Sequence, residues 1–515
     1  MTKRIGIDVG GTNTDAVLMD GIEVVAWHKT PTTPDVGGGI VVALASVMAE
    51  GGVGPGDVGS VMIGTTHFTN AVVERRRLLP VAAVRLGLPA TKALPPMIDW
   101  PEDLRATLGG HHYLIRGGHE FDGREIAPLD EKGLREAARD IRKKGLQVAA
   151  VTSVFSPVTA EMEERAAEIL SDEVDGIGLS LSNEIGRVGL LERENATIMN
   201  ACLTELAAAV VESFRAALGH LGITAPFYVS QNDGTLMTAD TVEKYPVLTF
   251  ASGPTNSMRG AAFLAETKEA MVVDIGGTTS DVGMLLHGFP REAAVAVDIG
   301  GVRTNFRMPD VLALGLGGGS IVREDGARIG PDSVGYELTE RAMVFGGEVL
   351  TATDIVVAAG AADIGERRRV NGVPAAVVRA GLDTMHKMVD GAVDRMKTSV
   401  EPLPVIMVGG GAVLITRGLG TATEIVRPRH AGVANAIGTA IAQVGGEVDR
   451  VFSLEGMSRE EALDEAKSQA VEKAVAAGAA AESVQIVDIE EVPLAYLPSS
   501  ATRIRVKAVG DLVAE

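Results

Sequence analysis

An eight-residue pattern occurs twice in this chain, about half a chain apart, and it constrains the fold more than any other feature of the sequence. The pattern is Asp-Val-Gly-Gly-Thr-Asn-Thr-Asp at residues 8–15 and Asp-Ile-Gly-Gly-Thr-Thr-Ser-Asp at residues 274–281. Each copy leaves an apolar strand and enters a second one, so each predicts a β-hairpin with a Gly-Gly-Thr turn. A pair of such hairpins is far more specific than one glycine motif, and it predicts two similar half-sites facing one ligand.

The residue types of these hairpins suit the binding of a polyphosphate. A tight Gly-Gly turn allows backbone amides to approach phosphate oxygens without an intervening Cβ, and the neighbouring hydroxyl groups add donors. Cradles on two separate lobes would hold the phosphates, and rotation of the lobes would open and close the cleft. The predicted cradle residues are Gly10, Gly11, Thr12 and Thr14 in the first hairpin and Gly276, Gly277, Thr278 and Thr279 in the second.

A carboxylate ends the first strand of each hairpin, Asp8 in one copy and Asp274 in the other. Because Mg²⁺ prefers oxygen ligands and keeps several waters, both side chains are predicted to hold Mg²⁺ directly or through water. With Thr12 and Thr278 they are the candidate catalytic residues. The alternative is a pair of ordinary hairpin turns with solvated aspartates, and the duplication of the whole pattern favours the ligand site.

The closing aspartates of the two copies allow two interpretations. Asp15 and Asp281 either orient the hairpins and their water or stabilise the turns. A third near-copy at residues 298–305 lacks the first Thr and the closing Asp. It is therefore predicted to be a structural turn and not a third phosphate site.

A glycine triplet after an apolar strand completes the nucleotide motifs. Gly409, Gly410 and Gly411 follow Pro-Val-Ile-Met-Val, and a chain without Cβ atoms can pass flat against a purine or a ribose. We assign the triplet to the nucleoside. The order phosphate, phosphate, adenosine predicts an α/β, actin/hexokinase/Hsp70-like two-lobed ATPase fold built from duplicated ribonuclease H-like domains, with ATP as the ligand.

The order of predicted elements agrees with this fold. Three short strands, a helix and a strand open the chain as a βββαβ unit, and the longest predicted helix spans residues 190–220. The predicted divisions are residues 1–75 for the first part of lobe I, 76–250 for its inserted and remaining elements with a loop or hairpin at 99–130, 251–446 for lobe II, and 447–515 for a small α+β appendage.

Composition excludes several other function classes. The formal net charge of −21 works against nucleic-acid backbones and anionic membranes, although local amides and a metal ion can still hold ATP. The single cysteine, Cys202, cannot form an internal disulfide, and its apolar surroundings favour a packing role over a nucleophile. The first residues lack a signal-like apolar run, and no segment reaches the length of a membrane span. A cytoplasmic, oligomeric protein is the expectation.

The chain resembles the hydantoinase/oxoprolinase family, specifically its A-type, ATP-hydrolysing subunit. Apart from the two hairpins, the likeness rests on GTTHFTNAVVERR at 64–76, FDGREIAPLD at 121–130, LLERENATIMNACL at 190–203, FASGP at 250–254, GLGGGSIV at 315–322 and GVANAIGTAIA at 432–442, all collinear. Two departures stand out: Asn256 and Ser257 replace expected glycines, and residues 336–345 replace a Pro-Gly-Pro-rich segment.

The resemblance implies ATP-dependent activation of a cyclic amide or imide, such as a hydantoin, 5-oxoproline or another lactam. ATP would phosphorylate the ring carbonyl oxygen, and ring opening would follow, with a hydantoinase B-type or other partner subunit. Two alternatives use the same hairpins: a sugar or carboxylate kinase, which also needs a carboxylate base, and a non-enzymatic ATP-driven switch or reactivase.

Residues at the ends of core strands are candidates for the acceptor side of the cleft. Loops of open α/β sheets face the ligand crevice there. The candidates are Thr65, Thr66, Asn70, Ser252 and Gly253, and helix capping by the threonines is the alternative interpretation. The histidines at 111, 112 and 119 lack the ordered ligand spacing of a zinc site, so their loop receives no assigned role.

Overall fold

The computed structural model describes residues 3–11, 13–32, 36–186, 188–293, 297–306, 308–454, 456–494 and 501–513. Its strands are, in chain order, β1 (Lys3–Val9), β2 (Asn13–Asp20), β3 (Glu23–Pro31), β4 (Val58–Thr65), β5 (Val81–Leu88), β6 (His112–Arg116), β7 (Val148–Ser153), β8 (Gly178–Leu181), β9 (Phe227–Ser230), β10 (Thr235–Thr238), β11 (Ala270–Ile275), β12 (Ser280–Leu286), β13 (Phe289–Pro290), β14 (Val297–Ile299), β15 (Val302–Thr304), β16 (Val311–Leu314), β17 (Ser320–Arg323), β18 (Arg328–Ser333), β19 (Leu403–Val408), β20 (Ala422–Val426), β21 (Gln443–Phe452), β22 (Gln485–Pro493) and β23 (Thr502–Gly510).

The helices separate and cover these strands. They are, in chain order, α1 (Val36–Gly51), α2 (His67–Glu74), α3 (Glu102–Thr107), α4 (Glu131–Lys144), α5 (Glu161–Glu173), α6 (Ser182–Ile185), α7 (Leu190–His220), α8 (Ala239–Lys244), α9 (Ser252–Leu264), α10 (Leu338–Arg341), α11 (Ala352–Ala358), α12 (Ala375–Met396), α13 (Ala434–Ala440) and α14 (Arg459–Ala476). The bounds of α7 are those predicted from the sequence.

Two sheets repeat one strand order. In the first sheet β3, β2, β1, β4 and β9 are neighbours in that order, with the first three antiparallel and β1, β4 and β9 parallel. In the second sheet β13 and β16 both pair with β12 in antiparallel fashion. Strands β12, β11, β19 and β20 are then neighbours in that order, with β12 antiparallel to β11 and with β11, β19 and β20 parallel. The repeated topology confirms the predicted duplication into two lobes. The first strand of each hairpin has buried apolar side chains on both of its faces, as expected for sheets covered by helices.

The C-terminal residues extend the first sheet. β21 begins at Gln443 and pairs in parallel with β10, and β23 and β22 continue the sheet beyond it. Helix α14 packs on this extension through buried alanines spaced four residues apart. The contact is close, because a methyl group added at Gly446 would lie 2.2 Å from the carbonyl oxygen of Ala470. The segment beyond residue 447 is thus continuous with the lobe I sheet.

A separate parallel sheet lies between β4 and β9 in the chain. Its strand order is β6-β5-β7-β8, and α4 and α5 pack on it with a hydrophobic core of their own. Residues 99–130 include α3 and β6, and β6 pairs in parallel with β5. The strand has only five residues, and the glycines, histidines and prolines around it give no regular alternation of apolar and polar residues. The sequence therefore predicts only a loop or hairpin here.

Helices α9 and α13 cross where the chain passes between the two lobes. Helix α9 leads from the first sheet into the second, and α13 leads back. A methyl group at Gly260 would lie 1.8 Å from the carbonyl oxygen of Ala434, and one at Gly438 would lie 1.8 Å from that of Asn256. Glycine at both positions therefore sets the spacing between the lobes. Among the described residues, no helix combines the length and the apolar content needed to cross a membrane.

The β14–β15 hairpin joins the lobes a second time. It belongs to the lobe II part of the chain, yet Ile299, Val302 and Phe306 lie in the hydrophobic core of lobe I. The ring of Phe306 meets that of Phe250 edge-on, with centroids 5.5 Å apart. The guanidinium of Arg75, after α2, donates to the carbonyl oxygen of Gly300 at 2.8 Å.

Candidate functional site

The two Gly-Gly-Thr hairpins have the same register. Asp8 lies opposite Asp15 in the β1–β2 pair, and Asp274 lies opposite Asp281 in the β11–β12 pair. Partners in an antiparallel pair point to the same face of the sheet, so each hairpin presents two carboxylates side by side. The pattern in the sequence therefore corresponds to one backbone geometry that is used twice.

The turns of the two hairpins are closed by the same hydrogen bond. The amide of Gly10 donates to the carbonyl oxygen of Asn13 at 3.0 Å, and that of Gly276 donates to Thr279 at 2.9 Å. A Cβ at Gly10 or Gly276 would lie 3.1 or 3.3 Å from that same oxygen, which explains the glycine. These two amides are therefore engaged in the turn, and a phosphate would meet the amides further along each loop.

The second glycine of each turn faces open space. A methyl group at Gly11 or Gly277 would meet no atom within 4 Å. Thr12 lies outside the described residues. Thr278 is half-buried and Thr279 is exposed, so both are accessible from the cleft. The hydroxyl of Thr14 is instead buried, 3.3 Å from that of Thr32.

Different elements support the two turns. The hydroxyl of Thr32 donates to the carbonyl oxygen of Gly10 at 2.7 Å. The second turn is backed by the glycine-rich loop before β17, where the amides of Gly318 and Gly319 donate to Gly276 and Gly277 at 3.0 and 2.7 Å. The carbonyl oxygens of Gly10, Gly276 and Gly277 thereby accept hydrogen bonds from protein, so neighbouring residues hold both turns in place.

The third near-copy of the pattern has another geometry. Gly300 and Gly301 both have positive φ, at 60° and 89°, and Asp298 accepts a hydrogen bond from the amide of Gly301 at 2.8 Å. Two consecutive residues of positive φ make a tight two-residue hairpin turn. Its glycines lie against Arg75 and Pro101, so this turn is a packing element of the β14–β15 hairpin.

Asp8 lies in an electrostatically crowded position. Its side chain is buried, and burial raises its pKa to about 6, with further increases from the charges of Asp15 and Asp274. Asn435 opposes this rise by donating from Nδ2 to Asp8 Oδ2 at 2.9 Å, and Asn256 also lowers the pKa. Within the described part of the chain, Asp8 Oδ1 has no hydrogen-bond partner.

The second hairpin has fewer compensating contacts. Burial raises the pKa of Asp274, and Ser257 and Lys29 reduce the rise. Burial, with a contribution from the charge of Asp274, raises the pKa of Asp281 to about 7. Among the described residues Asp281 has no hydrogen-bonding or ion-pair partner. The charge of Asp274 also raises the pKa of Asp8, so the two hairpins are close enough to interact electrostatically.

Glycines also stand beside the two strand-end carboxylates. A methyl group at Gly64, in β4, would lie 2.4 Å from Asp8 Oδ1. One at Gly409 would lie 2.2 Å from Asp274 Oδ1, and Gly409 has a φ of +80°. The glycine triplet thus packs on the second hairpin, with Gly411 donating to the carbonyl oxygen of Ile275 at 2.7 Å. Gly410, with no atom within 4 Å of an added methyl group, faces outward.

The buried carboxylates fit a divalent cation. Asp8 Oδ1 lacks a partner among the described residues, and the carboxylates raise one another's pKa, so a cation would relieve both costs. No group of three or more His, Cys, Asp and Glu side chains in the described ranges has the arrangement of a metal site. Phosphate oxygens and water would therefore have to complete the coordination sphere, which is the mode Mg²⁺ favours with nucleotides.

The predicted acceptor-side residues lie together beside the first hairpin. The hydroxyl of Thr66 donates to Val9 at 3.3 Å and accepts from Asn70 at 3.3 Å. Ser252 donates to the carbonyl oxygen of Thr65 at 3.3 Å, and Gly253 lies near Thr66. Thr65 and Ser252 are buried, whereas Asn70 is exposed. Of the five, Asn70 is the most accessible to a ligand.

Sequence reasoning missed the residues that brace the carboxylates. Asn256 and Ser257 had been recognised only as departures from a glycine pattern, and Asn435 and Lys29 had no assigned role. A signal for the asparagines exists, because α9 and α13 both begin near Gly-x-x-Asn, at 253–256 and 432–435. The two helices lead into and out of the second sheet, so this short repeat marks equivalent positions.

Comparison with known proteins finds one family along most of the chain. A family model described as the hydantoinase/oxoprolinase N-terminal region matches residues 4–174, and one described as hydantoinase/oxoprolinase matches residues 193–363. The caprolactamase subunit alpha of Pseudomonas jessenii is 28% identical over 387 residues, which cover 69% of this chain and 54% of that protein. The acetone carboxylase beta subunit of Xanthobacter autotrophicus is 27% identical over 384 residues, covering 68% and 53%.

A solved structure extends the likeness to the whole chain. The crystal structure of the ATP-dependent caprolactamase from Pseudomonas jessenii has a TM-score of 0.79 at 20% identity, covering 98% of this chain and 87% of that chain. At this identity the likeness is one of fold. The chain spans about half the length of each of the two relatives, at 54% and 53%.

Proposed function

The chain belongs to the hydantoinase/oxoprolinase family, and from this premise we propose that it uses ATP and Mg²⁺ to phosphorylate the carbonyl oxygen of a cyclic amide or imide. A hydantoin, 5-oxoproline or a related lactam would be the substrate. The observation that carries the proposal is the presence of two hairpins of identical register, with the charge of Asp274 in one raising the pKa of Asp8 in the other.

The chain's own groups have distinct roles in this proposal. The outward amides after Gly10 and Gly276 hold the phosphates, and the Gly409–411 turn accommodates the nucleoside. Asp8 and Asp274 hold Mg²⁺, which neutralises phosphate charge when it is bound. The helices α9 and α13 carry the braces of these carboxylates, so closure of the lobes would assemble the complete site.

The proposed step needs no general base. The bond between the terminal phosphorus and the bridging oxygen of ADP breaks as the acceptor carbonyl oxygen bonds to that phosphorus. A carbonyl oxygen carries no proton to remove, so positioning and charge stabilisation suffice. One water then adds to the activated carbon, and the ring nitrogen leaves as an amine to give an acyl phosphate. A second water then releases inorganic phosphate and the free carboxylate.

The names of the relatives support the carbonyl oxygen as the acceptor. Caprolactamase is named for a lactam and acetone carboxylase for a ketone, and these compounds share a carbonyl group but not a ring nitrogen. Both relatives are named as subunits. We therefore assign carbonyl phosphorylation to this chain and the later ring opening to a complex with a hydantoinase B-type or other partner subunit.

An isotope experiment tests the reaction. The full chain, with and without a co-purified partner subunit, is given MgATP and hydantoins, 5-oxoproline, other lactams, ketones or sugars. A cyclic amide with a heavy-oxygen carbonyl label should stimulate ATP hydrolysis and transfer its label to inorganic phosphate. A stable phosphorylated sugar or carboxylate would instead indicate a kinase, and acceptor-independent hydrolysis would indicate an ATP-driven switch.

The acceptor side is tested by Asn70→Ala. Asn70 is exposed and its side chain donates to Thr66, which in turn donates to the first hairpin at Val9, so its loss should weaken acceptor-stimulated hydrolysis about tenfold while the affinity for MgATP stays within about twofold. Asn371→Ala, at another exposed asparagine, serves as the control. A parallel loss of ATP affinity and stimulated turnover would place Asn70 in the nucleotide site or the framework.

A further inference from the structure

A row of charged side chains crosses the lobe I sheet beside the first hairpin. Asp8 lies opposite Asp15 in the β1–β2 pair, and Asp15 lies opposite Lys29 in the β2–β3 pair. Directly opposed residues share a face of the sheet, so the three side chains point to the same side. Lys29 Nζ lies 2.6 Å from Asp15 Oδ1.

Lys29 is placed at the boundary between the buried row and solvent. The side chain of Lys29 is 34% exposed, whereas that of Asp15 is 4% exposed. A lysine held at its end by a buried carboxylate keeps a defined position while its remaining donors stay available. The influence of Lys29 also reaches the other lobe, because its charge is one of the causes that lower the pKa of Asp274.

The equivalent row of lobe II has no cation. There Asp274 lies opposite Asp281, and Asp281 lies opposite Ala313 of β16. In the described ranges, the only ion pair made by any of the four hairpin carboxylates is the one between Asp15 and Lys29. The hairpins are thus alike in backbone, and the basic side chain is present on one side only.

Charge balance gives this lysine a task in the proposed reaction. A terminal phosphoryl group brings about two negative charges to a site that already holds several carboxylates. One Mg²⁺ supplies two positive charges, and the carboxylates that bind it consume them. A further cation at the hairpin mouth is what such a site needs to accept the phosphoryl group.

We propose that Lys29 is a catalytic residue whose ammonium group contacts the terminal phosphoryl group of ATP and stabilises its charge during transfer. Asp15 is its positioning residue, and Asn435 holds Asp15 by donating to Oδ2 at 2.7 Å. Lys29 donates hydrogen bonds and transfers no proton, so the phosphorus–oxygen bonds that break and form are those of the proposed reaction. The inference rests on the proposed function.

The test compares ATP with ADP in the full-length chain. Lys29→Met should lower kcat for ATP hydrolysis about 100-fold, as the loss of an electrostatic donor to a transition state does. The affinity for MgADP, which lacks the terminal phosphoryl group, should change less than about threefold. Lys29→Arg keeps the charge and should recover much of the rate. Lys132→Met, at a lysine side chain that is 89% exposed on α4, is the control.

Two results would overturn the inference. One is a Lys29→Met variant with wild-type turnover. The other is a variant that loses MgATP affinity, MgADP affinity and melting temperature together without rescue by Lys29→Arg, which would make Lys29 a structural counter-ion of Asp15. Wild-type protein that binds no MgATP would overturn the proposed function as well, so the two failures are distinguishable.

Discussion

The two Gly-Gly-Thr hairpins are alike in backbone and unlike in their electrostatic surroundings. In lobe I, Asp8 and Asp15 share the amide donor of Asn435, and Asp15 also pairs with Lys29. The amide of Asn435 opposes the rise that burial causes in the pKa of Asp8, which nevertheless reaches about 6. The carboxylates of the first hairpin therefore have protein partners before any ligand arrives.

In lobe II the corresponding pair has little support for its charge. Ser257 favours the ionised form of Asp274, while Asp281 lies without a partner among the described residues and titrates at a pKa of about 7. The difference shows that the two hairpins share one backbone geometry while the side chains around them differ. Lobe I surrounds its carboxylates with an amide and an ammonium group, whereas lobe II leaves Asp281 with a raised pKa and no partner among the described residues.

Substitution of one aspartate on each side should give the largest contrast. Asp8→Asn removes a predicted metal ligand in lobe I, so MgATP turnover should fall about 1,000-fold. Asp281→Asn mimics the protonated state of its side chain and should cost less than about tenfold. Steady-state ATP hydrolysis near pH 7 measures both. Equal losses of turnover in the two variants would show that the carboxylates of both lobes contribute equally to ATP hydrolysis. That result would contradict the electrostatic contrast between the two hairpins.

The second contrast lies within the glycine triplet. An alanine at Gly409 would need a positive φ and would press on Asp274 Oδ1, whereas one at Gly410 would meet open space. We expect Gly409→Ala to lose about 2–4 kcal/mol of stability or most MgATP affinity, and Gly410→Ala to lose less than about 1 kcal/mol. Thermal melts with and without MgATP separate these effects. If the two variants behave alike, the triplet does not press on the second hairpin.

The smallest expected effect is a change in the pH dependence of stability. The folded pKa of Asp281 is about 7 against 3.8 in a model carboxyl group, so the folded state keeps a proton that the unfolded chain has released. The free energy of unfolding should then fall as the pH rises from about 4 to about 7. Asp281→Asn should remove this loss and stabilise the nucleotide-free protein by about 1–2 kcal/mol near pH 8, with no gain near pH 4.

Denaturation at several pH values measures that gain. Asp15→Asn is the comparison on the other lobe, since it breaks the contact with Lys29 and should destabilise the protein near pH 8. A gain for both variants would contradict the contrast between a supported and an unsupported carboxylate.

Local sequence patterns predict the elements whose structure depends on residues close in the chain. The hairpin registers follow from apolar alternation and the Gly-Gly-Thr turn, and α7 follows from its sustained apolar periodicity. The braces of the site could not be found in this way. Asn435 and Asp8 lie 427 residues apart in the chain, and the packing of α13 against β1 brings them together. The position of Lys29 opposite Asp15 depends on a register shift in β2 at Leu18 and Met19, which alternation does not reveal.

The anchoring of the β14–β15 hairpin in lobe I has a consequence for the rate of nucleotide exchange. Opening the cleft widely would pull Ile299, Val302 and Phe306 out of the lobe I core, and each large apolar side chain so exposed costs about 1.5–3 kcal/mol. Wide opening would therefore be rare, and most molecules would stay close to the closed arrangement. Release of ADP through a narrow gap would then become the slow event of the cycle. A partner that docked on this hairpin and loosened it would accelerate turnover without touching the nucleotide.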